Sequence, residues 1–133
     1  LGQSGIEVRL FAPKDPLIPG ITWEAMHPEN FDHALRSAKG VISSAGSQLI
    51  SECIALRKPH FALHAPRDDE QGLNVAMLKH FGLGEGAAFD AWDRASIQSF
   101  LEGLEHERPP LPTFAYDTHS AVQEALEFLV GCP

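Results

Sequence analysis

The stretch that decides the fold runs from Ser43 to Val75 and reads SSAGSQLISECIALRKPHFALHAPRDDEQGLNV. It predicts a strand that ends in a turn of small residues, a helix that begins at that turn, and a second strand that ends before Pro66 and another helix. Strands joined by helices in this way run parallel, and ligands bind beyond their carboxyl ends. The polar residues that follow both strands are therefore expected to meet at one edge of the sheet.

Outward from this stretch, strands and helices continue to alternate along the chain. The predicted strands are Ile6–Phe11, Ile21–Met26, Gly40–Ser43 and Phe61–His64, with a weaker one at Gly84–Phe89. The predicted helices are Asn30–Ala38, Ser47–Arg57, Glu70–Phe81, one that carries Ile97, Phe100, Leu101 and Leu104, and a last one that carries Val122, Ala125, Leu126 and Leu129. This alternation predicts a three-layer, Rossmann-like α/β domain with a mainly parallel sheet.

Length and composition indicate a single globular domain of 133 residues, with 44% hydrophobic and 21% charged residues. The formal net charge of -8 argues against a nucleic-acid or anionic-membrane binder, since both need a basic face. No apolar run approaches the roughly 20 residues of a membrane helix. The two cysteines, Cys53 and Cys132, match no metal-binding spacing, and Cys53 is predicted to be a buried thiol. A reduced, cytoplasmic setting is the expectation.

The turn Ser44-Ala45-Gly46-Ser47 precedes a helix N-terminus, where free N–H groups and the helix dipole attract phosphate. For the turn alone an ordinary helix cap, with Ser47 serving its own helix, is the favoured interpretation, because such turns are common. Glu52 lies in the second turn of the same helix. Its carboxylate either accepts hydrogen bonds from two ribose hydroxyls or is a solvated charge or an ion-pair partner of Arg57 or Lys58.

The acidic run Asp68-Asp69-Glu70, followed by Gln71, has two interpretations. Oxygen ligands in a row suit a divalent metal ion, but acidic residues also favour a helix N-terminus through its dipole. The dipole accounts for the aspartates better than for Gln71 and Asn74. The seven histidines show no zinc spacing, and neither a Ser-His-Asp arrangement nor a Walker-type lysine loop can be assigned.

The order of these motifs resembles the donor-binding half of GT-B glycosyltransferases. The resemblance is closest to the group that includes the peptidoglycan N-acetylglucosaminyltransferase, and UDP-glycosyltransferases share the scheme. It is carried by the segments Gly40–Ser47, Ser51-Glu52, Lys58-Pro59, Glu70-Gln71 and Asn74. It implies transfer of a hexose or N-acetylhexosamine from a UDP-sugar to an unknown acceptor, with no metal ion and no cofactor besides the donor.

The resemblance also implies roles for single residues. Ala45, Gly46 and Ser47 match the turn that holds the diphosphate, Ser44 just before them is also expected to bind the nucleotide-sugar, and Glu52 matches the carboxylate on the ribose hydroxyls. Glu70 and Gln71 match the pair that recognises the donor sugar. His27 and Pro28 fall where the family's backbone binds the base of the nucleotide. Arg57 stands where a glycine is common, so the end of its helix is expected to differ.

Two departures from the family pattern lead to further expectations. Ile6–Phe11 matches the family's second strand, so the family's first strand has no match in residues 1–133. The acceptor-binding N-terminal domain has none either. We therefore expect residues 1–133 to be one domain of a longer enzyme. That missing half usually supplies the catalytic base, so the chain alone is expected to be inactive. The exposed edge beside Gly40–Ser43 should be closed by Ile6–Phe11 or by strand pairing in a dimer.

Two other functions stay open at this point. A sugar-nucleotide epimerase or hydrolase on the same fold is favoured by a histidine or carboxylate of raised pKa in the cleft between domains. A non-catalytic nucleotide-sugar sensor or structural domain is favoured if the well-folded chain fails to bind any nucleoside diphosphate.

Overall fold

The computed structural model of the chain describes residues 5–106. In this range the chain forms five strands and four α-helices, followed by a short 3-10 helix, Gly103–Glu105. They are, in order, β1 (Arg9–Phe11), β2 (Thr22–Glu24), α1 (Pro28–Ser37), β3 (Val41–Ser44), α2 (Ser47–Ala55), β4 (His60–His64), α3 (Asp69–His80), β5 (Gly84–Ala88) and α4 (Arg94–Glu102). Cys132 and the helix predicted around Val122 to Leu129 lie outside the described residues.

The described strands form two sheets, and every pairing in them is parallel. One sheet pairs β1 with β2, and the other has the order β3-β4-β5. The connections from β3 to β4 and from β4 to β5 each contain a helix, as is usual between parallel neighbours, whereas β1 joins β2 through residues 12–21 without a helix. The predicted α/β class with parallel strands is therefore confirmed, with helix and strand ends that differ by a few residues.

Helices cover both faces of the larger sheet because successive side chains of β4 point in opposite directions. Ala62 belongs to a buried cluster with Ile50 of α2 and Leu78 of α3. Phe61 points the other way and packs on Phe100 of α4, with 5.7 Å between the ring centroids. Cys53 is fully buried, as predicted, and burial raises the pKa of its thiol to about 12.

The smaller sheet does not close the edge of β3, so that expectation for Ile6–Phe11 is wrong. Regular strand structure is confined to Arg9–Phe11, and it pairs with β2, where Thr22 N–H donates to the Val8 carbonyl at 2.9 Å. The indole N–H of Trp23 donates to the Ala12 carbonyl at 2.9 Å and holds β2 beside β1. Within residues 5–106 the outer edge of β3 has no strand partner, and pairing in a dimer stays a prediction.

The connection between α2 and β4 explains the unusual Arg57. Helix α2 ends at Ala55, and Arg57 has a φ of 56°, a left-handed conformation that glycine adopts more easily. The next residue, Lys58, donates from Nζ to the carbonyls of Arg36 and Ala38 at 2.6 and 2.7 Å. Its charge therefore stabilises the C-terminus of α1 and ties α1 to the larger sheet.

Apart from Glu85, strand β5 contains only glycine and alanine, and α3 packs closely onto it. A Cβ on Gly86 would lie 2.8 Å from Val75 Cγ2 and would fall on the Ala62 carbonyl oxygen. A Cβ on Gly72 of α3 would meet nothing within 4 Å. The two glycines therefore differ in what the fold requires of them.

We expect Gly86→Ala to lower the free energy of unfolding by about 1–3 kcal/mol, since the added methyl group overpacks the contact of β5 with α3. The matched change Gly72→Ala should raise it by about 0.5–1 kcal/mol, because alanine loses less backbone entropy in a helix. Urea denaturation of both variants measures the difference. Equal effects would contradict the close packing of β5.

His60 is a fully buried polar residue in the central strand. Its Nε2 lies 2.8 Å from Ser43 Oγ, whereas Nδ1 has no hydrogen-bond partner among the described residues. Burial disfavours the charged ring and lowers the pKa of His60 from 6.5 to about 4. The folded chain therefore holds this imidazole neutral.

This burial predicts a pH dependence of stability. Between pH 6.5 and about 4 the unfolded chain binds a proton at His60 that the folded chain excludes, so stability falls as the pH falls. The loss should reach roughly 3 kcal/mol and level off below pH 4. Urea denaturation from pH 7.5 to 4 measures the free energy of unfolding as a function of pH. In His60→Leu the part of the pH dependence that comes from His60 should be absent. An unchanged slope in His60→Leu would contradict the prediction.

Candidate functional site

A cleft of about 530 Å³ lies between the N-terminal halves of α1 and α2. Both helices begin just after the carboxyl end of a strand, which is where parallel α/β sheets bind ligands. Four of the predicted site residues line this cleft: Pro28, Gly46, Ser47 and Glu52. The remaining walls come from Phe31, Asp32, Gln48 and Leu49.

The N-terminus of α2 presents uncapped N–H groups to the cleft. Its N-cap residue is Gly46, no side chain among the described residues caps it, and its first turn carries no acidic residue. Helices α3 and α4 differ, since Asp68 accepts from Gln71 N–H at 3.0 Å and Asp93 accepts from Ser96 N–H at 2.7 Å. The dipole of α2 is therefore free to attract an anion.

Gly46 leaves open space at this N-terminus. Its φ of -70° suits any residue, and a Cβ built on it would meet nothing within 4 Å. Neither backbone conformation nor packing within the described chain requires glycine here. The missing side chain allows a ligand to approach the backbone closely.

Glu52 contributes a half-buried carboxylate to the same cleft. Its Oε1 accepts a hydrogen bond from Gln48 Nε2 at 3.1 Å. Lys58, one of the two ion-pair partners considered for it, directs its ammonium group to the carbonyls at the end of α1 instead. The carboxylate thus lines the cleft, and within residues 5–106 its second oxygen has no hydrogen-bond or ion-pair partner and can act as an acceptor.

The turn after β3 is held from two sides, which fixes where α2 begins. Ala45 is fully buried, and its N–H donates to the Leu63 carbonyl of β4 at 2.8 Å. Its carbonyl accepts from Nδ2 of the buried Asn74 at 3.0 Å. Ser44 is exposed at the end of β3, and its carbonyl accepts from Ser43 Oγ at 2.9 Å. Asn74, which the acidic run left unexplained, therefore supports the turn.

The N-terminus of α3 forms a second polar group, separate from the cleft. Asp68 caps the helix, as the dipole interpretation of the acidic run predicts. Gln71 Oε1 accepts from Ala65 N–H at 3.0 Å, which leaves its amide nitrogen as a donor. Glu70 is exposed, and neither it nor Gln71 lines the cleft. His27 occupies the N-cap position of α1 and is also exposed beside the cleft wall.

Apart from Pro28, the α1 wall is the part of the cleft that the sequence did not reveal. Arg36 Nε donates to both carboxylate oxygens of Asp32, at 3.1 and 2.8 Å, and this hydrogen bonding holds the pKa of Asp32 below its usual value. The pair reduces the negative charge on this side of the cleft. The i, i+4 spacing places Pro28 and Asp32 on one face of α1, and Gln48 and Glu52 on one face of α2. It does not indicate that these two helix faces lie across a cleft from each other.

The described residues form neither a cluster of metal ligands nor a membrane-spanning helix. Between residues 5 and 106 no group of three histidine, cysteine, aspartate or glutamate side chains is arranged to hold a metal ion. In the same part of the chain no helix has the length and apolar character needed to cross a bilayer.

Comparison with known protein families gives a match over most of the chain. A family model described as Glycosyl transferase family 1 matches residues 9–105. The match begins with the first residue of β1 and ends with the last residue of the 3-10 helix, so it includes every helix and strand described above. No curated protein and no solved structure matches the chain.

We expect Asn74→Ala to lower the free energy of unfolding by about 1–3 kcal/mol, because it leaves the buried Ala45 carbonyl without a hydrogen-bond partner. The neighbouring change Leu73→Ala, at a side chain that is 62% exposed, should cost less than about 1 kcal/mol. Thermal denaturation of both variants compares them. A smaller loss for Asn74→Ala than for Leu73→Ala would contradict the role of Asn74 in the turn.

Proposed function

The chain belongs to glycosyl transferase family 1, and from this premise we propose that the cleft between α1 and α2 binds a nucleotide-sugar donor. The donor is a UDP-linked hexose or N-acetylhexosamine, as the resemblance to GT-B enzymes implies. The observation that carries the proposal is the meeting, on one cleft, of an uncapped helix N-terminus and a half-buried carboxylate. A nucleoside diphosphate combines an anion with a diol, which matches these two groups.

The diphosphate is assigned to the N-terminus of α2. Free N–H groups at Gly46, Ser47 and the following residues donate to phosphate oxygens, and the helix dipole favours their charge. During transfer the leaving diphosphate gains negative charge, so the same groups stabilise the transition state more than the ground state. Ala45 supports this turn from the core, where its N–H and carbonyl are both hydrogen-bonded.

The ribose is assigned to Glu52, since a carboxylate accepts hydrogen bonds from two adjacent hydroxyls. The uracil base of the nucleotide is assigned to the backbone near His27 and Pro28, at the start of α1. The donor sugar is assigned to Glu70 and the free amide nitrogen of Gln71, at the start of α3. These positions follow the carboxyl ends of β2, β3 and β4 in chain order.

Sugar transfer also needs an acceptor site and a base. In the glycosyltransferases that the sequence resembles, an N-terminal acceptor domain usually supplies both. We therefore propose that such a domain is the partner of this one, and that residues 1–133 alone do not transfer sugar. Robust turnover of a UDP-sugar by the isolated chain would overturn this proposal.

We expect Glu52→Gln to weaken UDP binding by about one to two decades, because hydrogen bonds to a charged acceptor contribute roughly 1.5–3 kcal/mol. Isothermal titration calorimetry of UDP into wild type and variant measures the change. The control is Glu102→Gln on α4, where Glu102 accepts from Gln98 in the same i, i+4 geometry, outside the cleft. Equal affinities of wild type and Glu52→Gln would refute the ribose assignment.

A further inference from the structure

Gln48 is a cleft residue to which the proposed function gives no role. It lies one helical turn before Glu52 on α2, and both side chains line the cleft. Its Nε2 donates to Glu52 Oε1 at 3.1 Å. Gln48 is exposed, and its amide therefore acts on the Glu52 carboxylate and not on the core.

The chemistry of the Gln48 amide suits a group that orients a carboxylate without neutralising it. A lysine or arginine at this position would form an ion pair and compete with a ligand for both oxygens. A neutral amide occupies one of about four lone-pair positions on the carboxylate and leaves enough for two hydroxyl donors. It also restricts the rotamers of Glu52, so less side-chain entropy is lost when a ligand binds.

The same pair occurs a second time in the described chain. On α4, Gln98 Nε2 donates to Glu102 Oε1 at 3.0 Å, again with i, i+4 spacing. Both hydrogen bonds are exposed, but the α4 pair does not line the cleft, so it only supports its own helix. A Gln–Glu pair is thus not a site in itself, and its position on the cleft distinguishes the pair on α2.

We propose that Gln48 is a positioning residue that holds Glu52 for two-point recognition of a vicinal diol, and so makes the cleft selective for ribonucleotides over 2′-deoxyribonucleotides. This inference rests on the proposed function, since it assumes that Glu52 meets a ribose. A carboxylate fixed in one orientation receives both hydroxyl donors together. A carboxylate that rotates freely gains less from the second hydroxyl, because it must be ordered at the time of binding.

Calorimetric titration with UDP and with 2′-deoxyuridine diphosphate tests the inference. Wild type should bind UDP more tightly than the deoxy compound. Gln48→Leu should weaken UDP binding by about three- to ten-fold, the range expected when one more side chain has to be ordered on binding, and should narrow the preference for UDP over the deoxy compound. Gln98→Leu removes the equivalent pair on α4 and should leave both affinities unchanged.

The outcomes separate this inference from the proposed function. If wild type prefers UDP and Gln48→Leu keeps the full preference, Gln48 does not position Glu52 and the inference is overturned. An equal loss in Gln98→Leu would also overturn it, because the effect would then be one of helix stability. If wild type binds neither compound, the proposed function itself fails. If the preference for UDP over the deoxy compound narrows in Gln48→Leu and not in Gln98→Leu, the result supports both the proposed function and the role of Gln48.

Discussion

Burial of β4 between two layers of helices is the constraint on which the rest of the structure depends. His60, Phe61 and Ala62 are each at most 1% exposed, so their side chains must find partners on both faces of the sheet. Ala62 meets α2 and α3, and Phe61 meets α4. Strands β3 and β5 satisfy the backbone of β4 from its two edges. Five other elements are therefore positioned by one strand of five residues.

The same strand controls the candidate site through its last carbonyl groups. Leu63 accepts from Ala45 and His64 accepts from Phe89, which fixes the turns that follow β3 and β5. Helix α2 must then begin at Gly46, with its N–H groups at the cleft. The chain carries a net charge of -8, so attraction of an anion has to be local. The dipole of α2 and the pairing of Asp32 with Arg36 provide that local balance.

Much of this fold follows from patterns of a few residues. Apolar spacing predicts the described helices, alternation with strands predicts parallel pairing, and the turn before Ser47 predicts an anion site. The opposite wall of the cleft has no such signal, because Phe31 and Asp32 reach it only through the tertiary placement of α1. The family resemblance implies that Gln71 binds the donor sugar, yet its Oε1 already accepts a hydrogen bond from Ala65 N–H. Local patterns show which side chains are polar but not which backbone groups they already satisfy.

The division into two sheets has a consequence for how the chain moves. No strand ladder joins β1 and β2 to the larger sheet within residues 5–106, so helix α1 and its contacts provide the link. That link includes the edge-to-face contact of Phe11 with Phe31, at 5.2 Å, and the hydrogen bonds of Lys58 to the end of α1. Regions held by few contacts open at lower free energy than the core. The two walls of the cleft therefore belong to parts of unequal stability, and a molecule bound between them would act as a cross-link that raises the opening free energy of the smaller part.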